Sequence, residues 1–459
     1  MRSRSLLAAA LLVSAAACGA RSTLTDPPVS SAGSGGTGTS SATSTAASTS
    51  ATGVMTGPGG GPNILCSALT DIGAAIELPA AAPKRSARDP WLDRLAAGDV
   101  LAVARHDLVG GPMFAPQAIE AVRLDPWAAW PPTVHAPTPV IDSMPDMPFV
   151  AATEPQGTFA LGVMQVPMKA PAGCSLAAIY GIAPDAPPGP DTLAAHLTDD
   201  CSALPISVAT AEDGSHFVAS DTLVSDKDGK EIRGMIVTVL DPEGNLIASP
   251  NLACASNRFV GDVLATGPDF LFVQSASDGL DCAAKGTARR LFLRRFHGAA
   301  EERLVVADGF DDMVYARILP RPGGTWIFFR ESGASAEVQP PGMAIAFGTD
   351  SAAGTAFPVT DPGVGQMAVA ALAGGFVVAY ADLLDSSSPT IVLRVYSATG
   401  TLTTQRAFST GEAWLNGDRL TLIASPDGTR FLVGWVGKSG VAGSDTGMFV
   451  RRFDCANAP

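Results

Sequence analysis

SPDGTRFLVGWV, residues 425–436, decides the fold. Ser425, Pro426, Asp427 and Gly428 form a polar turn, and bulky apolar residues follow. Proline presets φ, aspartate bonds nearby backbone and glycine tolerates positive φ, so the stretch reads as a hairpin turn entering a buried strand. Such a turn and strand recur backwards along the chain. The copies are GGFVVAY at Phe376, GTWIFF at Trp326, GPDFLFV at Phe270, GSHFVAS at Phe217, GTFALGV at Phe159 and GDVLAVA at Val100, spaced 50 to 59 residues apart.

A second strand type follows each copy by 20 to 26 residues. Its markers are Leu124, Tyr180, Leu240, Phe296, Phe347, Tyr396 and Phe453, in segments such as IVLRVYS and MFVRRFD. Two strand types holding one phase seven times are the mark of a long-period repeat. Each unit reads as four strands: a leading segment such as LTLIA or ISVAT, the two marker strands, and a closing segment such as GNLIAS, ERLVVA or GTLTTQ. Four-stranded antiparallel units of this length, apolar on both faces, stack radially, whereas solenoid repeats are usually shorter. The expected fold is therefore all-β, a seven-bladed β-propeller of four-stranded antiparallel blades over residues 63–459.

The seventh unit stops after its third strand, and an orphan apolar segment, NILCSALTDIGAAIEL, precedes the first unit. Residues 64–78 are expected to supply the missing outer strand of the last blade, which places Cys66 beside Cys455. With Cys18 set apart, six cysteines remain in a chain that carries an export signal, which predicts disulfides. The expected pairs are Cys66–Cys455, Cys174–Cys201 and Cys254–Cys282.

The amino terminus carries that signal. Arg2 and Arg4, the apolar run from Leu6 to Val13, and the small residues Ala15, Ala16 and Ala17 before Cys18 have a secretory layout. The run is too short to span a bilayer. Ala15 to Cys18 resembles the lipobox of bacterial lipoproteins, with Ala15 where leucine is commonest. The resemblance implies a signal peptide over 1–17, acylation of Cys18 and, with Gly19 rather than aspartate next, anchoring in the outer membrane. Residues 18–62 then comprise the acylated cysteine and a Ser/Thr/Gly/Ala linker, expected to stay disordered with a reach of roughly 35–40 Å. The SPDG turn is similar to that of TolB-type and WD40-like propeller repeats, and AEDG at 211–214 is a partial copy.

Composition narrows the partners. A net charge of −14 argues against nucleic acid, which needs a basic stripe, and leaves the acyl chain as the membrane link. Charged residues are sparse at 16%, while 48 glycines and 36 prolines favour turn-rich β-structure. The chain is expected to act as a monomer.

Chemistry-bearing motifs are few. The glycine-rich phosphate loop, the nucleophile elbow and the two-histidine zinc motif are absent, and the sequence from Ser425 departs from the sialidase Asp-box after Asp427. Two acidic clusters, Asp226, Asp228 and Glu231, and Asp308, Asp311 and Asp312, read as solvated turns rather than Ca²⁺ loops. The five histidines, His106, His135, His196, His216 and His297, read as structural; His297 stands where Asp125, Asp241 and Asp454 end other marker strands. In DPWAAWPP, Trp127 and Trp130 are candidates for stacking a sugar or peptide, on a loop expected between the first and second units. No catalytic residue, metal or cofactor is assigned. The reading is a tethered binding or scaffold module for a protein, peptide or glycan. The alternative is a glycan or polymer hydrolase or lyase with acidic residues at the channel mouth.

Overall fold

The computed structural model describes residues 66–457, apart from 83–84, 109–116, 144–146, 166–174, 190–191, 201–202, 226–230, 255–259, 277–288, 311–312, 332–338, 350–351, 365–366, 383–389 and 411–419. It is an all-β, seven-bladed β-propeller. Seven antiparallel sheets follow one another along the chain, over 85–143, 150–198, 204–254, 261–310, 313–358, 367–409 and 421–457. We number them blades 1 to 7. Each blade's first strand touches the first strand of the next, and blade 7's touches blade 1's, so the innermost strands form a closed ring around the channel.

The repeat is visible in the register. Val100 pairs with Leu124, Phe270 with Phe296, Phe376 with Tyr396 and Phe431 with Phe453. In blades 3 and 5 the partners are offset by one, Phe217 with Val239 and Trp326 with Ala346. In blade 2 a shift after Ile179 brings Phe159 opposite Ile182 rather than Tyr180. The aromatic pairs fill the seams between blades. Phe431 stacks on Phe453 at 5.6 Å, and Phe408 of blade 6 packs against Phe453 at 5.2 Å.

The opening turn is used more widely than its sequence reveals. In 425–429 the Gly428 amide donates to the Ser425 carbonyl at 2.9 Å, and Asp427 accepts from the Thr429 amide at 3.0 Å. Gly428 has φ +65°, and a Cβ there would strike the Ala373 backbone of blade 6. The same contact, an amide of a positive-φ glycine to the carbonyl three residues earlier, occurs at Gly98, Gly157 and Gly214. Four blades thus share a five-residue turn; AEDG at 211–214 keeps the Asp and Gly of SPDG, and EPQG at 154–157 its Pro and Gly.

Blade 7 is closed by the amino-terminal segment. Cys66–Asp71 and Ile76–Glu77 pair with Thr446–Asn457, the third strand of blade 7. A disulfide joins Cys66 to Cys455. Blade 6 secures the added strand: the Thr403 hydroxyl donates to the Cys66 carbonyl and the Arg406 guanidinium to that of Leu69, both at 2.8 Å. Of the other two expected pairs, Cys174, Cys201 and Cys282 lie outside the described residues, and Cys254 ends the strand Asn251–Cys254.

The innermost strands leave amides unpaired toward the axis, and side chains of the neighbouring blade accept some of them. The Leu92 amide donates to the Thr421 hydroxyl at 3.0 Å, the Thr153 amide to Asp93 at 3.0 Å and the Ile318 amide to Asp262 at 3.0 Å. These bonds stitch blades 7 to 1, 1 to 2 and 4 to 5.

Candidate functional site

The two rims differ. Connections between first and second strands are clipped, for example 95–99, 267–268 and 373–374. Connections between second and third strands are longer, for example 109–116, 166–174 and 277–288. Longer spans of chain between strands concentrate at functional faces. Cys66, where the described fold begins, pairs with Asn457 at the clipped rim, so the long-connection rim faces away from that entry point.

Charge on the innermost ring is uneven. Blades 2, 3, 6 and 7 contribute VAAT, LPISVAT, MAVAAL and TLIA, with no ionisable side chain. Blade 1 contributes Arg85, Arg88, Asp89, Asp93 and Arg94; blades 4 and 5 contribute Asp262, Arg317 and Arg321. By ring order, blades 4 and 5 stand opposite blade 1. Ionisable residues of the innermost ring are therefore confined to blade 1 and to blades 4 and 5.

Blade 1 is the most heavily charged, and it is irregular. Its innermost strand, Arg85–Arg94, shifts register between Arg88 and Trp91, at the dipeptide Asp89-Pro90. Asp89 has φ +48° and is the only non-glycine residue with positive φ among those described. Strain of this kind persists where surrounding contacts hold it. Here the buried Arg105 lies 3.1 Å from the Asp89 carboxylate and donates to the Met147 carbonyl at 2.7 Å, bridging toward blade 2. Arg88, with 41% of its side chain exposed, pairs with Asp107 at 2.6 Å.

Behind this face lies a buried trio. Glu120, on the third strand, is 1% exposed and accepts from the Ala81 amide at 2.7 Å. Arg85 approaches its other oxygen at 3.0 Å, an ion pair whose angle leaves Oε1 without a hydrogen bond. His106, 7% exposed, stands 3.8 Å from Glu120, too far to bond. Burial, with the Arg85 charge adding to it, lowers the His106 pKa to about 4, so the imidazole is neutral at pH 7. Burial raises the Glu120 pKa, against the opposing pull of the Ala81 amide and Arg85. Leu78, Pro79, Ala104 and Met448 line a small cleft with this His and Glu at the seam between blades 7 and 1.

Eleven buried side-chain polar atoms lack a hydrogen-bond partner among the described residues, and five belong to this end of blade 1: Arg85 Nε, Arg105 Nε, His106 Nδ1, Asp107 Oδ1 and Glu120 Oε1. Buried polar groups are nearly always satisfied, so this end of blade 1 stands out among the described residues for the hydrogen-bonding capacity its own side chains leave unused.

The tryptophans are placed differently from expectation. DPWAAWPP lies inside blade 1, between its third and fourth strands, because the outer strand resumes at Thr133–Val134. Trp127 donates its indole N–H to the Gly98 carbonyl at 2.8 Å and Trp130 to that of Ala74 at 3.0 Å. Both pack against the apolar seam of blades 7 and 1, on the clipped rim.

Outside His106, the histidines are held by neighbours: His216 stacks on Tyr180 at 3.8 Å, and the exposed His297 pairs with Asp269 at 2.6 Å. Asp226, Asp228, Asp311 and Asp312 lie outside the described residues. Among the described residues no group of three metal-ligating side chains converges. Sequence spacing missed the blade 1 cluster, because Arg85, His106 and Glu120 come from three strands; the one available signal was the run SARDP in an innermost strand.

No protein-family model and no curated protein matches the chain. Among solved structures, a Dyadobacter fermentans protein of unknown function is 12% identical, with 84% of this chain and 99% of that one covered at a TM-score of 0.46. An α-L-arabinofuranosidase of Fusarium graminearum is 10% identical, covering 83% and 98% at 0.44. A Trypanosoma rangeli sialidase is 10% identical, covering 83% and 58% at 0.36. Likeness at this level does not reach to chemistry.

Proposed function

We propose that the chain is a lipoprotein, acylated at Cys18 and anchored in the outer membrane, whose propeller binds a protein, peptide or glycan at its long-connection rim. The observation carrying the binding role is the cluster of under-satisfied ionisable groups in blade 1, on the rim opposite the chain's entry into the fold. Arg88 and Asp107 offer a cation and an anion at the channel mouth, and Arg105 and Asp89 hold them on a strained, pre-set backbone. The anchoring role is supported by the lipobox-like Ala15–Cys18 and the long Ser/Thr/Gly linker.

Capture of envelope components by the full chain, immobilised and chemically crosslinked, tests the binding role. The expected result is a reproducible partner that is lost with Arg88→Ala and Asp107→Ala while the melting profile is unchanged. A partner retained by both variants places recognition elsewhere. Metabolic labelling with a fatty acid, lost in Cys18→Ser, tests the anchor.

The hydrolase or lyase alternative draws on one observation, the buried Glu120 carboxyl whose raised pKa suits a general acid. Glu120 sits on the third strand, behind the channel wall, which favours binding over catalysis. Turnover of a plant or bacterial polysaccharide by the full chain, abolished in Glu120→Gln, would reverse that preference.

A further inference from the structure

Where blades 2 and 3 meet on the clipped rim stands an imidazole whose tautomer is fixed by its neighbours. His216 opens the second strand of blade 3, His216–Ser225, and pairs in register with Thr210 on the innermost strand and Leu240 on the third. Directly opposed residues project from the same face, here toward blade 2, whose Tyr180 lies flat on the ring at 3.8 Å. Glu154, buried at the first turn of blade 2, accepts from the Thr158 hydroxyl at 2.6 Å, the Gly181 amide at 2.9 Å and the Thr210 hydroxyl at 2.9 Å. Thr210 has one hydroxyl proton, and Glu154 takes it. The Thr210 oxygen, 3.1 Å from His216 Nδ1, therefore accepts, which puts the imidazole proton on Nδ1 and leaves Nε2 as a lone pair.

That lone pair has no donor. His216 is 7% exposed, yet Nε2 bonds to no described residue and still touches solvent; the Tyr180 hydroxyl makes no hydrogen bond to it. The ring nitrogens sit on opposite edges, so with Nδ1 turned to the innermost strand, Nε2 is turned toward the third, where Asp241 begins the next turn. Two acidic turns frame this edge. A Cβ on Gly214 would come within 3.3 Å of Pro242, so 211–215, with Glu212 and Asp213, abuts 241–245, with Asp241 and Glu243. Asp213 and Asp241 fold back on Ser215 and Asn245, whereas the exposed Glu212 and Glu243 enter no ion pair among the described residues. No lysine or arginine occurs in either turn, in 154–158 or in the blade 2 connection 183–192; Asp191 of that connection lies outside the described residues and is itself an acid. Burial lowers the His216 pKa against the pull of Glu154, Asp213 and Asp241, so the ring is neutral at pH 7.

We propose that this corner docks an arginine side chain of a partner protein, one guanidinium N–H donating to His216 Nε2 while another donates to the carboxylate of Glu212 or Glu243. Nε2 and the two free carboxylates are all acceptors, so the ligand must bring donors, and the negative charge on both turns selects a cation. Among the described residues no third ligand converges to hold a metal ion. A guanidinium carries its N–H groups in one plane, so a single edge serves a ring nitrogen and a carboxylate together, which the point charge of a lysine does less well. Just beyond the turn, Leu246 and Ile247 are exposed on the outer strand of blade 3, an apolar step for the rest of an extended segment.

This surface lies on the opposite rim from the blade 1 site and does not depend on it. The test is nuclear magnetic resonance of the full chain carrying isotope-labelled histidine, in which only five residues give signals. Long-range nitrogen–proton correlation should show His216 as the Nδ1–H tautomer. Titration with N-acetyl-Leu-Arg-Leu-amide should then move the His216 Nε2 resonance saturably and leave those of His106, His135, His196 and His297 in place. The same peptide with citrulline, nearly isosteric and uncharged, should bind about tenfold more weakly, and the lysine peptide several-fold more weakly. Glu212→Gln together with Glu243→Gln should weaken the arginine peptide several-fold while the melting curve stays unchanged, since both side chains are exposed. An Nε2–H tautomer, no shift or one common to all five histidines, citrulline or lysine binding as tightly as arginine, or a double variant that binds like wild type each overturns the proposal. None of these outcomes bears on capture of a partner by Arg88 and Asp107.

Discussion

Cys66 and Cys455, 389 residues apart in the chain, are bonded with their Cα atoms 4.9 Å apart, next to the turn at 425–429. The Cys455 amide itself donates to the Thr429 carbonyl at 2.8 Å. The bond thus fastens the added strand where the last hairpin begins. In the chain-entropy treatment a loop this long limits the unfolded state by up to about 5–6 kcal/mol. Replacing both cysteines by serine should lower the unfolding free energy toward that amount, read by urea titration under oxidising conditions. A double variant within about 1 kcal/mol of wild type would show that strand pairing alone holds the ring.

Acid should expose the buried histidine. The native pKa of His106 is about 4, below its ordinary 6.5. The unfolded chain therefore takes up this proton first, and the contribution of the neutral imidazole, complete above pH 6.5, is lost as pH falls toward 4. The loss corresponds to about 2–4 kcal/mol. Glu120 has the opposite sign: its raised pKa makes its contribution fullest below its ordinary value of 4.5, and lost as pH rises through the native value. His106→Gln should remove the histidine component, flattening stability between pH 6.5 and 4 relative to wild type. Parallel curves for the two proteins in that window would contradict the assignment.

Asp89→Asn isolates charge from backbone, since asparagine accepts positive φ nearly as readily as aspartate. It leaves Arg105 buried without its partner. The expected cost is about 3–5 kcal/mol. Adding Arg105→Leu should recover part of that cost, and a double-mutant cycle gives the coupling. Additive single effects would mean that the pair is not linked.

Seam packing should dominate stability elsewhere. Phe431 is fully buried against Phe453, and Phe431→Ala should cost about 3–5 kcal/mol. Leu246, 62% exposed on the outer strand of blade 3, should tolerate serine within about 0.5 kcal/mol. Thermal melts of the two variants check the contrast.

Much of this architecture could be read from residue order. Phe431, Phe376 and Phe270 fall in one phase because each fills the seam between its own blade and the preceding one, and a hydrophobic period survives when turns diverge. The closure by Cys66 was legible because blade 7 lacked an outer strand. The turn at Gly98 was not, since backbone geometry demands only the glycine and leaves its neighbours free to change. The position of DPWAAWPP was missed for a related reason: an outer strand of two residues, Thr133–Val134, has too little pattern to detect. The charged site was the least legible part. Arg88 meets Asp107, and Arg85 and His106 meet Glu120, only across strand registers, which no spacing encodes.

The strand Cys66–Asp71 is made long before the residues it pairs with, Phe453–Asn457. During synthesis it therefore has no edge to join, and six blades can assemble while the seventh waits. Any interruption of the chain before Phe453 leaves both ends of the ring with open, unpaired strands, the edges along which β-proteins aggregate. Synthesis of Thr446–Asn457 is thus the step that lets Cys66–Asp71 fasten the row of sheets into a ring.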